Sequence, residues 1–226
     1  MTNPNIRAAA AAGGSAAQKA AVLRAQARRG LWRRILSWLG VSRHTRRADT
    51  EAARWAHGAS GEATTARLLA ALEARGWHVR HDLALPRSRA NLDHLLTSPC
   101  GTALVVLDTK AWHRGRTTAL VQGRVHCGRE DRHGQVEKVA GYARRVEAAL
   151  RMPGVRVWPL LVVHGSPVAG GRLEARVAGW EGVVHVLDTD RLLPTLVSAP
   201  KRQNPRAAAA LAARVDQVFR PYVQGA

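Results

Sequence analysis

Three windows of the chain carry short apolar runs: Leu95-Leu96 within Leu92–Thr97, Ala103–Leu107 within Thr102–Thr109, and Val157–Val163 within Val155–His164. Short Val/Leu-rich runs bounded by turn residues are the pattern of strands buried on both faces. Trp77–Leu85 alternates as a half-buried strand does, and Pro86 stops it. Thr117–Val121 and Arg124–Cys127 flank Gln122-Gly123, a two-residue hairpin signal. Gly182–Leu187 predicts one more strand, and Gly165–Gly171 a loop. Helical spacing takes over elsewhere. Ser60 is placed to cap a helix through Arg75, with Leu68, Leu69 and Leu72 on one face and Gly76 past its end. Gln135–Leu150 carries Val136, Val139, Ala140, Ala143 and Val146 as a single stripe, and Pro153-Gly154 closes it. Shorter helices are predicted over Asp190–Val197 and Ala207–Phe219.

The order is therefore α-β-β-β, a hairpin, α-β, then a further strand and two helices. Helices must cover the apolar faces of such strands, so the expected class is α/β, a mixed central sheet flanked by helices. The boundaries predicted are a basic helical arm and linker over 1–50, a folded domain over 51–199, and a basic linker with a C-terminal helix over 200–226. Within the arm, Ala16–Ala27 is a good helix former. Leu31–Leu39 is a basic amphipathic helix, with Leu31, Ile35 and Trp38 on one side and Arg33 and Arg34 beside them. It has the character to lie on DNA, on a membrane surface or on its own core. Val41–Thr50 is a polar basic linker with Arg43, Arg46 and Arg47.

Charge narrows the partners. Lys and Arg number 35 against 16 Asp and Glu, a formal +19. An excess of that size points first to nucleic acid and second to an anionic membrane. Cys100 and Cys127 form no paired motif, which argues against a zinc site or a disulfide framework and for a cytoplasmic protein. No apolar run reaches the roughly 18 residues of a spanning helix.

The chemistry concentrates where the two central strands end. Asp108 and Lys110 lie two apart, so both side chains leave the same face of one strand. A carboxylate there suits a hard cation such as Mg²⁺. A lysine beside it can hold a phosphate or help deprotonate an attacking water. Asp93 sits at the start of the neighbouring strand and offers a second carboxylate from a different backbone. Glu62 offers a third from the first helix, and Gln135 opens the later helix, where it could orient water or phosphate. Each also has a reading without chemistry: a helix-dipole acid for Glu62, a turn cap for Asp93, an exposed ion pair for Asp108 and Lys110, a solvated helix start for Gln135. His94, His113 and His133 fit phosphate contact or plain surface better than metal ligation.

Taken together, Gly61-Glu62, Asn91-Leu92-Asp93-His94, Ser98-Pro99-Cys100-Gly101, Leu107-Asp108-Thr109-Lys110-Ala111-Trp112 and Gly134-Gln135 resemble, in order, the motifs of the nuclease-related domain (NERD) family, itself similar to the PD-(D/E)XK or restriction-endonuclease-like superfamily. The resemblance covers roughly Gly58–His164. It implies an αβββαβ core, with the arm and C-terminal helix outside it, and metal ligation by Glu62, Asp93 and Asp108. It further implies Lys110 as the catalytic lysine, Gln135 as support, and Mg²⁺ or Mn²⁺ as cofactor. This sequence has Asn91-Leu92-Asp93 where the family usually has Gln-Ile-Asp, and Asp108 where it usually has Glu, one methylene longer. The expected function is a metal-dependent nuclease acting on DNA in processing or repair. The nucleic-acid contacts expected are Arg33, Arg34, Arg43, Arg46 and Arg47 in the arm, with His94 and His113 near the site. Two rival expectations are a non-catalytic nucleic-acid-binding protein with the same fold, and a peripheral membrane or partner-docking protein acting through Leu31–Leu39.

Overall fold

The computed structural model describes residues 61–199 and 202–222. The helices expected over Ala16–Ala27 and Leu31–Leu39, the arm arginines, the Ser60 cap and the start of the second linker lie outside them. The first described helix, α1, covers residues 61–73. Its end is set by Gly76 at φ 82°, where the backbone turns so that Trp77 N donates to Leu72 O. The strands β1 (His78–Ala84), β2 (Asn91–Thr97) and β3 (Ala103–Ala111) follow. A small sheet of β4 (Thr118–Val121), β5 (Arg124–Cys127) and β6 (Glu130–Asp131) precedes α2 (His133–Leu150). Then come β7 (Arg156–His164), a single 3₁₀ turn, β8 (Arg172–Ala175), β9 (Val184–Asp188), α3 (Thr189–Ser198) and α4 (Pro205–Val218).

The six-stranded sheet runs β1-β2-β3-β7-β9-β8. The strands β1, β2 and β3 pair antiparallel, β3, β7 and β9 pair parallel, and β8 returns antiparallel on the far edge. A mixed sheet with helices on both faces, carrying the αβββαβ order, is a restriction-endonuclease-like core. The expected class holds. The strands β6 and β8 were not anticipated: two and four residues of mixed polarity, including Arg172 and Glu174, give no apolar run to read.

Side-chain alternation along β3 sorts the core. Val105 and Leu107 face α1 and α3 in one cluster with Leu69, Leu72, Leu160 and Leu192. Leu104 and Val106 face α2 and α4 in another with Val146, Leu150, Leu211 and Phe219. Both faces of the central strands are thus covered, which explains their uninterrupted apolar sequence. Asp188 caps α3 by accepting from Arg191 N at 2.9 Å, and Asn204 caps α4 by accepting from Ala207 N at 3.1 Å, with Pro205 as the first helical residue.

The helix α4 is fastened at three points. Asn204 N donates to Pro99 O at 2.9 Å, and Asp216 takes Arg80 and His78 of β1. Beyond it the chain turns back along the free edge of β1. Ala84 N donates to Arg220 O, Tyr222 N donates to Asp82 O, and Leu83 bridges Pro221 antiparallel. Among the described residues no helix is long and apolar enough to cross a membrane.

Candidate active site

The antiparallel register of β2 on β3 ends at His94 opposite Leu107. Continuing that register by one step sets Asp93, near the start of β2, against Asp108 of β3, on the same face. Their strands are joined by the tight Ser98–Gly101 turn, as the separation of the two acids along the chain suggested. Asp93 accepts from Thr109 N at 2.8 Å. Asp108 is buried, and its Oδ2 is ion-paired to Lys110 Nζ while accepting no well-directed hydrogen bond. Lys110 Nζ also donates to Thr109 O at 3.0 Å.

Glu62 joins this pair from α1. Its neighbour Gly61 packs α1 closely on the sheet: a Cβ there would lie in van der Waals contact with Thr109 Cγ2 at 3.4 Å and the His164 ring at 3.7 Å. Burial, then Asp93, push the Glu62 carboxyl up to about 8. Burial, then Asp108, push Asp93 up to about 7, against the pull of Lys110 and the Thr109 N–H. Burial alone would lower the Lys110 ammonium, but Asp108, Asp93 and Glu62 outweigh it and hold the charge firmly in place. Three acids and one cation therefore share one electrostatic neighbourhood, and Asp82, at φ 49° in β1, adds a further acid that pushes Glu62 upward.

Gln135 is positioned from the opposite side. Its Oε1 accepts from Trp112 Nε1 at 2.9 Å, and Trp112 N in turn donates to His164 O. Trp112 is buried and directly follows β3, so one side chain ties the strand carrying Lys110 to the first turn of α2. With Oε1 occupied, the Gln135 amide N–H groups remain as donors.

His94 departs from expectation. It alternates with Asp93 along β2, so it points to the other face, and it is fully buried, out of a phosphate's reach. It belongs to a line of polar groups behind the site. His81 Nδ1 lies 2.7 Å from His94 Nδ1, and His94 Nε2 3.4 Å from Thr109 Oγ1. Thr109 Oγ1 donates to Thr65 Oγ1 at 3.2 Å, which lies 2.8 Å from His164 Nε2. A single direction of donation, from His81 to His164, satisfies every member with neutral imidazoles. Burial, then Arg80, lower His81 to about 4, and burial, then His81, lower His94 well below the usual imidazole range. This line joins α1, β1, β2, β3 and β7. No local sequence signal announces it, since Thr65 and His164 are 99 residues apart. His133 is likewise buried and accepts from Val125 N at 3.3 Å, whereas His113 is exposed just beyond β3.

The donor set fits a small hard cation chemically: carboxylate oxygens held against their preference for water, one of them without a well-directed hydrogen bond. Among the described residues, no group of three or more His, Cys, Asp or Glu side chains is already drawn together so as to hold an ion. Lys110 instead occupies Asp108.

The family model of the nuclease-related domain matches residues 57–164, a span that contains Glu62, Asp93, Asp108, Lys110 and Gln135 and ends with His164. No curated protein and no solved structure matches the chain. The ordered motifs, the αβββαβ core and this match agree: residues 57–164 match the nuclease-related domain (NERD), whose general kind is the PD-(D/E)XK superfamily.

Proposed function

We propose that the chain is a metal-dependent nuclease that hydrolyses phosphodiester bonds in DNA, in DNA processing or repair, with Mg²⁺ or Mn²⁺ as cofactor. The observation that carries this reading is the meeting of Asp93 and Asp108 from two adjacent strands beside a charged, half-buried Lys110. Glu62, Asp93 and Asp108 would hold the ion, which when bound supplies charge to the phosphate oxygens and acidifies a coordinated water. Lys110, kept protonated by its three acidic neighbours, acts as a fixed positive charge for the scissile phosphate rather than as a base. Gln135, held by Trp112, offers amide N–H groups to the same phosphate or to the attacking water. Thr109 orients Asp93 through its backbone and is itself fixed by the His94–Thr65 line on the other face.

A non-catalytic nucleic-acid-binding role is the second reading, favoured by the ion pair that occupies Asp108 and by the absence of a ready-made three-ligand group among the described residues. Supercoiled plasmid separates the two. The nuclease reading expects nicking with Mg²⁺ or Mn²⁺, none with EDTA, and a loss of at least about a hundredfold in Asp108→Ala and Lys110→Ala. Equal residual rates in wild type and Asp108→Ala would sink it and leave the binding role.

A further inference from the structure

A second concave surface lies at the other end of the same strands. A groove of about 1080 Å³ opens against the N-terminal halves of β3 and β7, beneath α3 and β9. Ala103 lines it, five residues before Asp108 on β3, so the two positions are roughly 17 Å apart along the strand at about 3.3 Å per residue, and alternation turns their side chains to opposite faces of the sheet. Its floor continues into the buried cluster under α1 and α3. On its wall Trp158 stands 39% exposed, an unusual state for a large ring in mid-strand, and stacks on His185 with centroids 6.0 Å apart and planes 19° from parallel. Burial, then Arg172, keep His185 below the usual imidazole range, so the stack is neutral at pH 7.

Four arginines rim the groove: Arg156, Arg172, Arg191 and Arg202. Only Arg172 is ion-paired among the described residues, to Glu174 at 2.6 Å. Three arginines without acidic partners around an exposed, pre-stacked aromatic pair have a definite complement: a flat ring joined to negative charge. A duplex does not offer that, because its base faces are already stacked on each other. An unpaired nucleotide does, and base–aromatic stacking with arginine–phosphate contact is how single strands are held without sequence readout.

We propose that this groove binds a single-stranded segment of nucleic acid, with a base stacked on Trp158 and the flanking phosphates on Arg156, Arg191 and Arg202. The proposal rests on the reading that nucleic acid is this chain's partner, and it gives that reading a second contact, away from the acids.

The test uses the full chain in EDTA, so that cleavage plays no part. A fluorescent twelve-nucleotide oligothymidylate is titrated into wild type, Trp158→Ala and Trp158→Phe. The affinity is expected to fall about tenfold in Trp158→Ala and to recover in Trp158→Phe. An oligomer of the same length with abasic sugars at every position keeps the phosphates but has nothing to stack; it should bind wild type as weakly as oligothymidylate binds Trp158→Ala, and the variant should not weaken it further. Arg191→Glu should reduce the slope of log affinity against log salt by about one or more. Cys100 also lines the groove and is partly exposed, while Cys127 is buried. Saturating oligothymidylate should therefore slow alkylation of Cys100 by iodoacetamide in the wild type. Equal weakening of the normal and abasic oligomers by Trp158→Ala, no weakening of either, or no protection of Cys100 would each overturn the proposal. So would a Trp158-dependent association with anionic lipid vesicles stronger than that with the oligomer. Because Asp108→Ala tests catalysis by plasmid nicking and Trp158→Ala tests the groove without it, failure of one is distinguishable from failure of the other.

Discussion

Asp93 and Glu62 are carboxyl groups that water would ionise and this fold resists ionising. Their raised pKa values have a stability consequence with a definite sign. The folded state holds these protons to higher pH than the unfolded chain does, so folding is weakened as pH climbs from about 4 toward 8 and is relieved as pH falls. Asp93→Asn keeps an acceptor for Thr109 N–H but cannot ionise. Thermal melts in EDTA should therefore find the variant equal to the wild type near pH 4.5 and more stable than it at pH 8, by on the order of 1–2 kcal/mol after allowance for the partial exposure of the site. Mg²⁺ should narrow the gap by stabilising the wild type alone. A difference that does not change with pH would mean that Asp93 sits at its ordinary pKa. At this scale the sequence was informative about acids and misleading about histidine. Asp93 and His94 are consecutive in a strand, and consecutive strand residues face opposite ways; proximity in sequence to a site was enough to suggest phosphate contact, but alternation decides against it.

The strands β3 and β7 were legible because both of their faces are covered, which gives them long apolar runs; β2 was read from Leu92, Leu95 and Leu96 and the turn that follows them. The strand β8 was not, because an edge strand paired on one side only needs little more than backbone, and Arg172-Leu173-Glu174-Ala175 satisfies that with a single larger apolar side chain. The ends of α2 were legible at one side: it stops after Leu150 as expected, with Arg151 at φ 50° turning the chain before Pro153-Gly154, but it starts at His133, two residues ahead of Gln135. The turn between β2 and β3 shows how one residue couples elements far apart in sequence. Gly101 has φ 72°, and a Cβ there would lie 2.3 Å from the backbone of Ala207 in α4. Gly101→Ala is expected to cost upward of about 2 kcal/mol, combining the left-handed backbone penalty with displacement of α4. Limited proteolysis should then cut the variant after α3 at concentrations that leave the wild type whole; equal resistance would mean that α4 accommodates the methyl group.

For the molecule as a whole, the charge is spread along the chain. Residues 1–60 carry eleven Lys and Arg against two acids, which leaves twenty-four against fourteen in the rest. The folded part is thus basic in its own right, and the arm roughly doubles its excess. DNA affinity should fall steeply and linearly on a logarithmic salt axis. Replacing Arg33, Arg34, Arg43, Arg46 and Arg47 by Gln should reduce the slope by about 0.9 for each phosphate the arm contacts. An unchanged slope would place the contacts on the folded domain instead. A charge excess is compatible with a polyanionic partner but does not say where one would lie; the Trp158 groove is assembled from β3, β7, β9 and α3, and no contiguous stretch of sequence contains it.

The turn of chain past α4 bears on a different property, the solubility of the protein. A bare outer strand invites the same strand of another molecule to pair with it. Here Arg220 and Tyr222 take up backbone groups on that edge of β1, and the residue between them is Pro221, which has no N–H to offer outward. The sheet therefore ends in a segment that cannot easily be extended. A shortened C-terminus, or a fusion joined at Phe219, would uncover β1 and open its edge to intermolecular pairing.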